Sequence, residues 1–176
     1  EYDFDSRYFI ELSLRNDASS RFNKETRDAF FWAFGLMWKA KNEPFLRNIS
    51  WLDLLDLKFS VGTSGNSELS SMDPITANYL YRATISKTDP YLGNVSYDFS
   101  NPGNPDLTWE KQRKYTASIN FGALDRINTF VSLYRRETSS MLLDIPIPYS
   151  VGFSSLYKNV GRISNMGVDF RLEVTT

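Results

Sequence analysis

From Ala29 to Ala40 every even position carries an apolar side chain: Phe30, Trp32, Phe34, Leu36, Trp38 and Ala40. The odd positions hold Phe31, Ala33, Gly35, Met37 and Lys39. Successive side chains of a strand point to opposite faces, so the even set predicts one continuous aromatic surface. The run is too short for a membrane-spanning helix, which needs about 20 apolar residues, but it matches the roughly 9–11 of a transmembrane strand. A strand buried in a soluble sandwich satisfies the same pattern, so this segment alone leaves both readings open.

Five further segments alternate. Tyr8, Ile10, Leu12 and Leu14 oppose Phe9, Glu11, Ser13 and Arg15, and Leu55, Leu57, Phe59, Val61 and Thr63 oppose Asp56, Lys58, Ser60, Gly62 and Ser64. Tyr115, Ala117, Ile119 and Phe121 oppose Thr116, Ser118, Asn120 and Gly122. Ile127, Thr129, Val131 and Leu133 share one side of the next, and Val168, Phe170, Leu172 and Val174 one side of the last. Strict alternation means one dry face and one wet face. The strands are expected near 6–15, 29–40, 55–65, 114–122, 127–137 and 168–176.

The connections are unequal. Gly122 to Arg126 is a tight turn, and 41–54 carries Pro44, Phe45, Leu46, Ile49, Trp51 and Leu52 at the spacing of a short amphipathic helical turn. The other three, expected as loops over 16–28, 66–113 and 138–167, are long and fall at every second junction, so they project from one end of the sheet. Short turns at one end and long loops at the other characterise outer-membrane barrels, with the long loops outside the cell. The dry face would then meet lipid, and the wet face, with Glu11, Arg15, Lys58, Arg171 and Glu173, would line a lumen. Six strands cannot close such a barrel, because about 8 give only a filled interior. The expected fold is therefore all-β, an antiparallel transmembrane β-barrel segment of about six strands belonging to a larger wall.

Composition removes most chemistry. The 176 residues carry a net charge of −1, which gives no electrostatic footprint for nucleic acid. Without cysteine there is no disulfide or thiolate metal site, and without histidine the usual general base and commonest zinc ligand are missing. The aspartates of 66–113 lack EF-hand spacing. No catalytic residue, metal or cofactor is expected, and no enzymatic activity. An opening at Glu1 with no signal segment, and an end inside an alternating segment at Thr176, read as a stretch cut from something longer.

The loop motifs carry a resemblance. Asn104-Pro105-Asp106-Leu107-Thr108-Trp109-Glu110 resembles a signature found late in the barrels of SusC/RagA-like TonB-dependent transporters. Ser19-Ser20-Arg21-Phe22, Pro44-Phe45-Leu46 with Trp51-Leu52, and Gly62-Thr63-Ser64-Gly65-Asn66 agree with it in order and spacing. So do Gly152-Phe153, Asn159-Val160-Gly161 and Asn165-Met166-Gly167-Val168-Asp169. The resemblance implies a Bacteroidetes-type outer-membrane importer of glycan or peptide, with a barrel of about 22 strands closed by a plug. It further implies a SusD-like surface lipoprotein as lid, and TonB acting through an N-terminal part that this chain lacks. The partners expected are thus that lipoprotein, TonB, outer-membrane lipid and an oligosaccharide or peptide substrate.

Within the loops, Tyr79, Tyr81, Tyr91 and Tyr97 are the candidates for contact with a ligand or partner, because surface-loop aromatics either pack the loop or meet something outside. Trp109 is a fifth candidate, with packing against the barrel rim as its other reading. The alternative for the whole chain is a soluble or surface β-sandwich that binds glycan or protein through its long loops.

Overall fold

The alternating segments pair in the order in which they occur. The computed structural model describes residues 1–68 and 77–175, with the backbone alone for Tyr91; residues 69–76 of the expected 66–113 loop lie outside the described residues. The strands are β1 (Tyr2–Phe4), β2 (Tyr8–Ala18), β3 (Asp28–Lys39), β4 (Leu52–Asn66), β5 (Thr84–Tyr91), β6 (Asn94–Asn101), β7 (Glu110–Ala123), β8 (Ile127–Pro146) and β9 (Ser155–Val174). Seven of them form one antiparallel sheet in the order β1-β2-β3-β4-β7-β8-β9, and β5-β6 is a separate hairpin. The sheet is open.

Register puts the apolar positions of all six long strands on one side. Ile10, Leu36, Phe59, Ala117, Leu133 and Val168 stand side by side across the sheet, and so do Tyr8, Trp38, Leu57, Ile119, Val131 and Phe170. Directly opposed residues share a face, and a slip of one residue in any pairing would break both rows. The opposite side carries Glu11, Gly35, Ser60, Thr116, Tyr134 and Gly167 in one row. The apolar side has no second layer among the described residues: Phe170 keeps 67% of its surface accessible and Val168 keeps 65%.

Two connections at one end are short. Asp5-Ser6 and Leu124-Asp125 both have positive φ at the two central positions, the turn geometry that matches strand twist. The third is built on a 3₁₀ turn at Ala40–Asn42 and a one-turn helix, α1 (Pro44–Arg47), with Pro44 at its first position. Lys41 Nζ donates to the carbonyls of Leu46, Arg47 and Ile49, closing the helix where its last carbonyls have no partner.

Glu43 ties this end together. Its buried carboxylate accepts from Tyr8 Oη at 2.5 Å, Trp38 Nε1 at 3.1 Å and Arg7 Nη1 at 2.9 Å, so one side chain joins β2, β3 and the turn. The Tyr8 hydroxyl, then the Trp38 indole, hold the Glu43 carboxyl below its ordinary pKa of 4.5, aided by the Arg7 guanidinium against the opposing effect of burial. A carboxyl depressed in the folded state stabilises above its unfolded pKa, and loses that contribution as pH falls through the folded value. Glu43→Gln in the intact protein should therefore lower stability at neutral pH. It should also flatten the loss seen in denaturant titrations as pH is taken below 4.5. A variant with an unchanged acid limb would show that Glu43 is not the titrating group.

One expectation needs correction. The stretch 138–167, read as a long loop, is mostly strand: β8 runs on to Pro146, β9 begins at Ser155, and the pairing continues from Thr138–Ile163 to Pro146–Ser155. The loop proper is 147–154. Alternation fades there because Met141, Leu142 and Leu143 are apolar in succession, and Leu142 and Tyr157 pack against a buried cluster, so the stretch has no single dry side. Ser140 and Gly161 mark the change; both have positive φ at the step the register skips between Ser139–Arg162 and Met141–Val160. The short β1 and the β5-β6 hairpin inside 66–113 likewise lack an alternation strong enough to announce them.

Candidate functional site

The residues built for contact lie at the long-loop end, where two loops are tied over the polar side of the sheet. Phe22, Phe31, Leu80, Leu107 and Trp109 form a buried cluster, with Leu142 and Tyr157 of the extended hairpin packed against it. The Trp109 ring lies 5.8 Å from Phe22 and 5.7 Å from Phe31, edge-on to the latter, and its Nε1 donates to the Arg27 carbonyl at 2.7 Å. Gly65 permits this: a β-carbon there would lie 2.3 Å from Phe31 Cζ and 2.9 Å from Trp109 Cε3.

Most side chains of the Asn104–Trp109 segment have a mechanical task. Asn104 Oδ1 accepts the Asp106 amide, an Asx turn that Pro105 stiffens, while its Nδ2 donates to the Tyr157 carbonyl at 2.8 Å. Leu107 is 1% exposed. Thr108 Oγ1 donates to the Thr26 carbonyl, and Thr26 Oγ1 returns a bond to the Leu107 carbonyl at 2.6 Å. Asn159 on β9 accepts the Thr108 amide at 2.8 Å and donates to the carbonyls of Thr108 and Ser140. Loop 19–27, loop 102–109 and the upper β8-β9 hairpin are thereby one unit.

The five candidate contact residues do not form one group. Trp109 is buried in the cluster, so its ring is engaged by Phe22 and Phe31 and shapes the rim from within. Tyr79 is half exposed, and the Arg82 guanidinium lies 5.0 Å from the Tyr81 ring. Tyr91 pairs with Asn94 through the backbone, and its side chain lies outside the described residues. Tyr97 belongs to a larger apolar surface. On β5-β6, Ile85 opposes Phe99 and Lys87 opposes Tyr97, which puts Ile85, Val95, Tyr97 and Phe99 on one exposed face. The other face is polar, with Thr88–Ser96 and Thr84–Ser100 hydroxyl pairs at 2.7 and 3.0 Å. Alternation over 95–99 is too short to announce this face, and Asn159 stands out only as part of the Asn159-Val160-Gly161 motif, its role hidden because its partners are remote in sequence.

No group of three or more His, Cys, Asp or Glu among the described residues could hold a metal.

The family model for TonB dependent receptor-like β-barrels matches residues 1–175. The chain belongs to that family. Within it the chain is SusC/RagA-like. It is 31% identical over 175 residues to the TonB-dependent receptor SusC of Bacteroides thetaiotaomicron, covering 97% of this chain and 17% of the relative. It is 30% identical over 170 residues to the TonB-dependent receptor P39 of Formosa agariphila, covering 94% of this chain and 15% of the relative. Among solved structures, the RagAB peptide importer in its closed-closed state superposes with a TM-score of 0.88 at 40% identity, covering 98% of this chain and 18% of that one. The chain thus spans about a sixth of the length of the relatives it matches. The open sheet is a sector of an outer-membrane barrel wall, its apolar rows facing lipid and its polar rows the lumen.

Proposed function

We propose that this sector belongs to an importer of glycans or peptides, worked by TonB through a part of the protein outside this chain and lidded by a SusD-like surface lipoprotein. The observation that carries the reading is the in-register apolar face left bare across six strands, backed by a polar face suited to a wet lumen. A soluble sandwich would have to cover that face with a second sheet, and the described residues supply none.

The exposed face of β5-β6 is the surface offered to the lid. Large apolar and aromatic side chains on a projecting hairpin act as anchors when a partner desolvates them, and Tyr79, shortly before the hairpin in the chain, is exposed as well. Trp109 and its cluster hold the hairpin's base in position.

The test uses the full-length transporter in its own cells. Tyr97→Ser with Phe99→Ser should leave the protein in the outer membrane, yet reduce the lipoprotein recovered with it by about tenfold. Growth on oligosaccharides or on peptides as sole nutrient then assigns the substrate class, and uptake independent of TonB would sink the importer reading. Undiminished lipoprotein recovery would remove the hairpin from the interface while leaving import intact.

A further inference from the structure

The wall splits on its lipid side. Pairing of β2 with β3 runs up to Ala18–Asp28 and pairing of β4 with β7 up to Asn66–Glu110, but β3 and β4 part above Ala33–Gly62. Above that pair the two strands meet only through the Thr63 hydroxyl among the described residues, which accepts from the Trp32 amide at 3.1 Å and donates to the Trp32 carbonyl at 3.4 Å. A cleft of about 520 Å³ opens there, lined in part by Phe30, Trp32, Lys111, Arg113 and Arg162.

Register places those side chains on the outward face. Arg113 opposes Thr63 and Glu137, Lys111 opposes Gly65 and Ser139, and Arg162 opposes Ser139. On β7 the same face runs from Ala117 through Tyr115 to Arg113 and Lys111, so it turns from apolar to basic in a few residues. All three cations are exposed. The carboxylates of the cleft are engaged elsewhere: Glu137 pairs with Arg135 at 2.6 Å and Asp28 with Arg27 at 3.6 Å. No described carboxylate lies within ion-pair distance of Lys111, Arg113 or Arg162.

We propose that this cleft binds the phosphate-bearing headgroup of an outer-leaflet lipid, whose acyl chains lie along Phe30, Trp32 and the apolar face below. The inference rests on the outer-membrane reading, which makes the long-loop end the outer leaflet. At that height an outward cation meets headgroups, and aromatic rings gather at the same level. The occupant therefore needs a compact anion at one end and an apolar tail at the other. A lipid joins the two; free phosphate has no use for Phe30 and Trp32.

The experiment takes the full-length protein from outer membranes and counts, by native mass spectrometry, the lipid A that stays bound through detergent washing. The combined variant K111Q/R113Q/R162Q should retain less by about tenfold or more, as expected for three headgroup cations. K111R/R113K/R162K, which keeps the charge, should retain it. Heat-modifiable migration on a gel reports barrel closure, and the three single glutamine variants replace the combined one if it fails that check. Equal retention by wild type and glutamine variants overturns the proposal. So does displacement of the lipid by millimolar inorganic phosphate, which would make the cleft a site for the free ion. Absence of the protein from the outer membrane would overturn the importer reading, and this one with it, before any lipid was counted.

Discussion

Phe59→Lys should cost the full-length barrel roughly 2–4 kcal/mol, and Ser60→Lys, one residue along, should cost within about 0.5 kcal/mol of nothing. Phe59 is flanked by Leu36 and Ala117 in the middle of the apolar face, so an ammonium there would sit in hydrocarbon. Ser60 is flanked by Gly35 and Thr116, with Glu11 in the same row, and its side is polar. Urea titration of folding into lipid vesicles measures both. The contrast is the informative quantity, because the two sites are neighbours on one strand, receive the same side chain and differ in the face they present. Equal penalties would mean that both faces are dry, and the wall would no longer be a boundary between lipid and lumen.

The second large effect is expected at the rim. Trp109→Ala removes the ring that touches both Phe22 and Phe31, together with a hydrogen bond to the Arg27 carbonyl. Truncation of a buried tryptophan costs about 3–5 kcal/mol, and here the loss falls on the loops and not on the strands below. The barrel should therefore remain closed by heat-modifiability while proteases gain access to 19–27 and 102–109. Trp109→Phe, which keeps most of the packing, should protect these loops substantially. Unaltered protease resistance in the alanine variant would mean that the Thr26–Thr108 and Asn159 bonds hold the loops without the ring.

The two substitutions also mark what was legible in the chain. Phe59 and its row could be read directly, since lipid imposes an apolar side chain at every second position and forbids slippage. The upper halves of β8 and β9 lack that rule: Met141, Leu142 and Leu143 follow one another, so no single side is dry. Trp109 could be found as part of a motif, but its role depends on Phe31, which reads as an ordinary inward position of an aromatic strand. Asn159 and Thr26 meet Thr108 and Leu107 only because the fold brings three remote segments together, and spacing along the chain carries no record of that. The β5-β6 face was half visible, its tyrosine and phenylalanine prominent and Ile85 and Val95 not.

The length of β8 and β9 has a topographical consequence. Each has 20 residues. At about 3.3 Å per residue and a tilt near 40°, such a strand climbs roughly 50 Å, about twice the apolar band of a barrel. Half of the hairpin therefore stands clear of the bilayer as a parapet, with Tyr149 and Val151 exposed at its crest. An impermeant label arriving from outside would meet Tyr149 and Val151 about 25 Å before it met the lipid.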